Sequence, residues 1–574
     1  MSDPILHKKQ KDERTAQTEE IVNSTEKKRL IVSGPGTGKT FIFEAVIKKN
    51  PTGKKLVLTF IRRLVSDIDQ KIQLKNTCKT FHEFAKGLLH NQKGSFDLQP
   101  YLSDIIKRDA ELLGLDLQEF DTKFQELDEY GSEIPFYIKR GDYYNTVSFN
   151  DSVYRIFKMA TKDEAVLPEF TQIIVDEYQD FNKLEIELIK LLEKRGPILI
   201  AGDDDQALYD GRSASSKYIK ELYRSGRFKV FKPKYCSRCT LVIVNAMNAF
   251  IKNVQRFGFF KDRIEKNYEC YLPDKENDSV KHQKVDFVEC STIKTVAKYV
   301  RRMAEKIDVQ DIQDSHKGGY PTILIIGPSY YLRVVYEELQ KEFANIIFTP
   351  SEEFTYSLSD AYRLLLADEF SNMGWRILAE FSIGEKTLAD IIAGSENATP
   401  IIDLLPKEII STHQKILEII KSITNKDTFK NEFVNELKKT LPNNYTEIIE
   451  NFRYKDEEPK DETQIDKTKP SILLTSYKGA KGLSGGHVFL LGAHNGSLPK
   501  NKDIISDVEI SQFLVAMTRT RKKLFLVSNR WYINPMTPDH KFIDPNERSI
   551  FIDWIPNEFL NNVGYLKSDD VNKL

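Results

Sequence analysis

The stretch RLIVSGPGTGKTFIFEAVIKK (29–49) decides the fold. It reads as a short apolar strand, Arg29–Val32, then a glycine-rich turn, then a helix opening near Gly38. Gly34, Gly36 and Gly38 permit the tight curl in which successive backbone N–H groups face one anion. The following helix turns its positive dipole end to the same charge. In this frame Ser33, Gly34, Pro35, Gly36, Thr37, Gly38, Lys39 and Thr40 form a polyphosphate cradle. Lys39 would reach the β- and γ-phosphates, and Thr40 would offer its hydroxyl to Mg²⁺. The consensus GxxxxGK[ST] has glycine where Ser33 stands, a mild departure between small residues.

Working outward, short apolar runs alternate with longer amphipathic segments, the pattern of α/β domains with parallel sheets. A first group of strands is expected at Arg29–Val32, Lys55–Thr59, Ile173–Val175 and Ile198–Ala201. A second is expected at Val285–Glu289, Thr322–Ile326, Ile472–Thr475, His487–Leu491 and Leu524–Val527. Neither group is contiguous, so each sheet domain carries a mostly helical insertion. The division expected is a first domain at 1–89 and 165–225, its insertion at 90–164, a second domain at 226–368 and 471–550, its insertion with a charged linker at 369–470, and a tail at 551–574. The linker is YKDEEPKDETQIDKTKP (454–470), charged and bounded by proline.

Composition bounds the function classes. Of 574 residues, 40% are hydrophobic and 29% charged, enough for several soluble domains with real cores. No apolar run approaches the roughly 18–20 residues of a membrane span, and MSDPILHKKQKDER lacks a signal-like apolar stretch. Lys and Arg total 84 against 85 Asp and Glu, so any nucleic-acid surface must be local. Five cysteines make no disulfide framework, and a cytoplasmic protein with no membrane partner is expected.

A second motif complements the first. QIIVDEYQD (172–180) sets a strand directly before Asp176 and Glu177. One carboxylate at a strand's end can hold Mg²⁺ while its neighbour polarises a water. Together the two elements indicate hydrolysis of ATP or GTP.

Eight segments narrow this further: SGPGTGKT (33–40), LTF (58–60), TFH (80–82), VDEYQD (175–180), AGDDDQALY (201–209), RCTLVIVNAMN (238–248), TSYKGAKGL (475–483) and LVAMTRTR (514–521). In order and approximate spacing they resemble UvrD/Rep-like superfamily 1 helicases, over about residues 14–527. The resemblance implies two RecA-like domains, 1A and 2A, the insertions being 1B and 2B. It also implies ATP and Mg²⁺ as cofactors and single-stranded or tailed duplex DNA as partner, with 3′ to 5′ movement. Gln17 matches the glutamine that reads adenine, and Gln206 the one that senses the γ-phosphate. Arg238 and Arg519 match two arginines that the second domain supplies across the nucleotide cleft, where a rigid guanidinium fork suits phosphoryl oxygens. Phe60, Thr80, His82, Tyr209, Arg212, Thr475, Tyr477 and Lys478 match positions that touch DNA. Aromatic rings among hydroxyls and cations suit sequence-tolerant strand binding, although each aromatic taken singly is equally a core residue.

Several positions depart from the family pattern. Gly211 replaces an aromatic before Arg212, removing a base-stacking platform, and Tyr477 replaces a common histidine. Ser237 stands for a tyrosine that stacks on adenine, Phe41 for an arginine after the P-loop threonine, and Ser484 for a glutamate near the ribose. These changes bear on nucleotide selectivity. Cys236 and Cys239 form an isolated CxxC around an arginine already assigned, open to a bland reading or to zinc or redox chemistry. Compact family members also resemble the helicase component of Gabija-type anti-phage systems, which works with a separate nuclease. The competing reading is therefore an ATP-gated DNA-binding sensor that does not unwind.

Overall fold

The computed structural model describes residues 4–59, 77–208, 213–349, 355–424, 431–453, 468–531 and 545–574. Two all-parallel sheets organise it. The first runs Cys78–Thr80, Lys55–Thr59, Gln172–Val175, Ile198–Gly202, Lys28–Val32 and Lys229–Phe231. The second runs Ile346–Thr349, Ile472–Thr475, Ile323–Ile326, Gly485–Leu491, Thr520–Asn529, Val285–Cys290 and Leu560–Leu566. All nine strands expected from the sequence are present, each inside its sheet.

Side chains alternate across each sheet as the pleat demands. Leu30, Val32, Leu56, Leu58, Ile173 and Val175 face one core, while Ile31, Val57, Ile174 and Leu199 face Phe43, Val46 and Ile47 of the P-loop helix on the other. Apolar residues are needed at both parities because both faces are covered, which is why these strands read as unbroken apolar runs.

Two boundaries differ from expectation. Residues 551–574, expected as a tail, supply the edge strand Leu560–Leu566 and the helix Ser568–Lys573. Val571 is buried in the second sheet's core, which ties the segment down. The helix Leu358–Ala367, expected within the second domain, packs with Asn372–Ser382 and belongs with the helical insertion. Its apolar face meets Trp375 rather than a sheet.

The two insertions are not separate bodies. Tyr137, Phe124 and Ile105 of the first share one apolar core with Tyr362, Trp375, Ile391 and Ile420 of the second, continuous with one face of the first sheet. At its centre lies a buried charge network. Asp109 Oδ2 accepts from Arg140 Nε (3.0 Å) and Nη2 (2.6 Å) and from the Tyr144 hydroxyl (2.5 Å); its Oδ1 accepts from Arg376 Nε (2.7 Å). Arg140 also donates to Ser395 Oγ (2.9 Å), and Arg376 to Glu380 (2.5 Å). Burial opposes charge on Asp109, but the guanidiniums of Arg376 and Arg140 more than offset it and hold the carboxyl below its ordinary range. Removing one partner strands buried charge, so Asp109→Ala is expected to destabilise this unit by about 3–5 kcal/mol. Urea unfolding followed by tryptophan fluorescence reports it through Trp375; a midpoint like that of the unaltered chain would contradict the reading.

Candidate active site

The P-loop leaves the sheet where Ser33 N–H donates to Gly202 O (3.3 Å). The Thr37 hydroxyl contacts Ser33 Oγ (3.0 Å) and Gly34 O (2.9 Å), so the serine that departs from consensus joins the loop's own bonding. Gly36 has φ +73°, and a Cβ there would stand 2.6 Å from Arg238 Cβ, so only glycine fits. Lys39 and Thr40 open the helix Lys39–Lys49.

Asp176 and Glu177 follow the strand Gln172–Val175 beside this loop. Lys39 Nζ lies 3.6 Å from Glu177 Oε1. Glu177 adopts φ +54°, unusual for a residue with a side chain and characteristic of functional sites. Gln179 Nε2 donates to Glu177 Oε2 (2.7 Å) and fixes that carboxylate. Burial first, then the neighbouring Glu177, push Asp176 above the usual carboxylate range. Burial also works against Glu177, but the ammonium groups of Lys39 and Lys481 more than offset it and hold it low. Two adjacent carboxylates, Asp176 buried and disfavoured when charged and Glu177 largely covered, beside the helix that Lys39 and Thr40 open, suit a divalent cation whose charge relieves the strain.

Residues some 300 positions downstream complete the cleft. Arg519 Nη2 donates to Gln206 Oε1 (2.8 Å), and its Nε to Val515 O (2.9 Å). Burial, then Arg238, pull the Arg519 guanidinium down to about 9. Arg238 lies against Gly36 and donates to Thr518 O (3.4 Å). The distant residues Lys39, Glu177, Gln206, Arg238 and Arg519 thus converge on one cleft. The second lysine of TSYKGAKGL, Lys481, has no role assigned by the sequence and enters the cleft as well. Lys481 is buried, donates to Gln206 O (2.8 Å), pairs with Asp180 and lies 3.9 Å from Glu177. Tyr268, which no motif marks, donates its hydroxyl to Pro35 O (2.6 Å) and closes over Gly34.

Gln17 lines a small pocket beside the P-loop with Arg14, Thr37, Phe41, Pro233 and Tyr235. Phe41 is 58% exposed there, and Tyr235 gives its hydroxyl to Glu13 (2.5 Å). Two aromatics therefore sit where the family's arginine and tyrosine are absent. Ser484 accepts from Arg521 Nε (2.9 Å). Cys236 and Cys239 are buried free thiols, and Cys239 N–H donates to Cys236 Sγ (3.4 Å). Among the described residues no metal-ligand set forms around them.

The candidate DNA contacts are more scattered. Thr80 caps the helix Phe81–Lys93 by accepting Glu83 N–H (3.2 Å). His82 packs on Phe149, ring centroids 4.8 Å apart, and its Nε2 lies 3.8 Å from Glu185. Thr475 is buried at a strand end, Tyr477 is half-buried with its hydroxyl on Leu491 O (2.7 Å), and Lys478 is exposed. Phe60, Tyr209 and Arg212 lie outside the described residues.

Known proteins resemble the chain over most of its length. The AAA domain family matches residues 17–212, and the UvrD-like helicase C-terminal domain family matches residues 235–530. Among curated proteins, the Probable DNA helicase II homolog of Mycoplasma capricolum is 24% identical over 94% of this chain and 88% of its own length. DNA helicase II of Salmonella typhimurium is 22% identical over 88% of this chain and 83% of its own. DNA helicase II of Haemophilus influenzae is 29% identical over a shorter stretch, 28% of this chain and 22% of its own length. Because the second of the two family matches alone spans more than half of the residues, the chain belongs to the UvrD-like helicase family.

Proposed function

We propose that this ATP-dependent DNA helicase is a motor on single-stranded DNA that moves 3′ to 5′ and separates a duplex ahead of it. The observation that carries the reading is the Arg519–Gln206 bond across the cleft, with Lys39 and Glu177 on the opposite wall. Gln17 reads the base, the backbone of residues 33–38 cradles the phosphates, and Lys39 meets the γ-phosphate. Thr40 and Asp176 would hold Mg²⁺, which would supply Lewis-acid polarisation of the phosphoryl oxygens. Glu177 takes the proton of the attacking water, and Gln179 keeps its carboxylate aimed. Arg238 and Arg519 meet the charge that develops on the transferring group.

Gln206 carries the signal onward, because the DNA-contact candidates Tyr209 and Arg212 follow it closely in sequence. Thr80 and His82, together with Phe60, would hold the strand from the first domain; Thr475, Tyr477 and Lys478 would hold it from the second. Closing the cleft on ATP shifts these two sets relative to each other, and hydrolysis releases them. The insertion at 90–164 and the one that opens at Leu358 would be the 1B and 2B subdomains, working together because their described residues share one core.

Strand displacement tests the reading. With ATP, a 3′-tailed duplex is expected to separate at least about tenfold faster than a 5′-tailed one, since a directional motor loads only on one polarity. Equal rates would refute the polarity. DNA-stimulated hydrolysis without displacement of either would favour the sensor acting with a separate nuclease.

A further inference from the structure

Asp203, Asp204 and Asp205 offer three carboxylate oxygens within 4.8 Å of one another, the spacing of a cation site. The cation is already supplied by the chain. Lys266 Nζ lies 2.5 Å from Asp203, 2.5 Å from Asp204 and 2.9 Å from Asp205, and its side chain is 4% exposed. Arg263 forks Asp205 with two bonds of 2.7 Å, and Ile264 N–H donates to Asp204 (2.8 Å). Burial opposes charge on Lys266, but Asp203, Asp205 and Asp204 more than offset it and hold the amine above its ordinary range. Lys266 and Arg263 come from the segment joining the helix Leu241–Arg256 to the strand Glu269–Cys270, within the stretch 226–368 read from sequence as second domain. That segment is fastened to the first domain: Ile264 sits in the first domain's core, and Lys220 and Arg224 donate to the carbonyls of Lys261 and Asp262.

Asp203 is the junction of two chains of bonds. Its Oδ2 accepts from Gln206 Nε2 (2.6 Å), while Gln206 Oε1 accepts from Arg519. Its own N–H donates to Gln179 Oε1 (3.0 Å), while Gln179 Nε2 donates to Glu177. Each glutamine amide has one polarity only. A carboxylate that only accepts must face Nε2, and a guanidinium that only donates must face Oε1. Three carboxylates this close repel one another, and the Lys266 ammonium set among them holds them together and keeps Asp203 aimed at the Gln206 amide.

We propose that Lys266 is a positioning residue for ATP hydrolysis: through Asp203 it locks the Gln206 amide toward Arg519, and it does so only while its segment is docked on the first domain. The inference rests on Gln206 acting at the ATP cleft. The Lys266 ammonium is engaged by the three aspartates, so its effect passes through Asp203 to the glutamine.

The test is a double-mutant cycle on the full chain, read as kcat and KM for ATP with saturating single-stranded DNA. Lys266→Met is expected to lower kcat about tenfold, with KM changed less than about twofold. In a Gln206→Ala background the same substitution is expected to change kcat less than about twofold, because the group it orients is gone. An equal fall in both backgrounds would mark a merely structural lysine and overturn the proposal. Gln206→Ala with unaltered kcat would overturn the reading of Gln206 and the relay with it, so the two failures are distinguishable. If Lys266→Met loses its cooperative thermal transition, Lys266→Arg and Asp203→Asn run through the same cycle decide by the same rule.

Discussion

Arg519→Ala is expected to slow DNA-stimulated ATP hydrolysis on the order of 10³-fold while changing ATP affinity by no more than about threefold. The guanidinium is buried, and burial and then Arg238 depress it, so the charge on Arg519 is held in the cleft at an electrostatic disadvantage. Charge that builds on the transferring phosphoryl group relieves that disadvantage most, which confers differential binding of the transition state. Nucleotide binding has other holds, the P-loop backbone and Lys39, that the substitution leaves in place. Single-turnover hydrolysis and equilibrium titration with a fluorescent ATP analogue separate the two quantities. Equal losses in both would make Arg519 a simple binding group. Part of the fall passes through Gln206, whose Oε1 loses its donor.

Lys39→Ala is expected to abolish DNA-stimulated turnover, a loss of about 10³-fold or more, with the fold retained. Burial disfavours the Lys39 ammonium, yet Glu177, Asp176 and Asp203 more than offset it and hold the amine above its usual range. The lysine is therefore charged at neutral pH and placed where a triphosphate's far end would lie. Its removal leaves Glu177 with Lys481 as the nearest cation, so the carboxylate stays paired and the site does not collapse. Circular dichroism and the thermal midpoint check the fold alongside the assay. Turnover like that of the unaltered chain would refute the site.

The strands readable from sequence and those that were not divide by position in the sheet. Val57, Ile174, Leu199, Ile325 and Phe489 sit in strands with neighbours on both sides and cover on both faces, so they appear as dense apolar runs. Within the two large sheets, the four described strands not anticipated are the four edges: Cys78–Thr80, Lys229–Phe231, Ile346–Thr349 and Leu560–Leu566. Lys229 is exposed, Ile346–Thr349 alternates half-buried with exposed residues, and Leu560–Leu566 carries two asparagines and a glycine. An edge strand needs little apolar cover, so composition does not announce it.

The candidate site divides in the same way. Local chain chemistry alone specified the P-loop, because a glycine turn between a strand and a helix makes its own anion cradle from contiguous backbone. The carboxylates Asp176 and Glu177 followed from a strand's end, and the distant arginines from motifs whose order could be read. Packing decided the rest. Lys481, Tyr268 and Lys266 contact groups about 60 to 300 residues away, and no residue type beside them in the chain names those partners. The union of the two insertions around Asp109 belongs to this class too, since a buried ion network exists only once both segments have closed over it. Local backbone chemistry is written in neighbouring residues, whereas the partner of a buried charge is set by which surfaces meet.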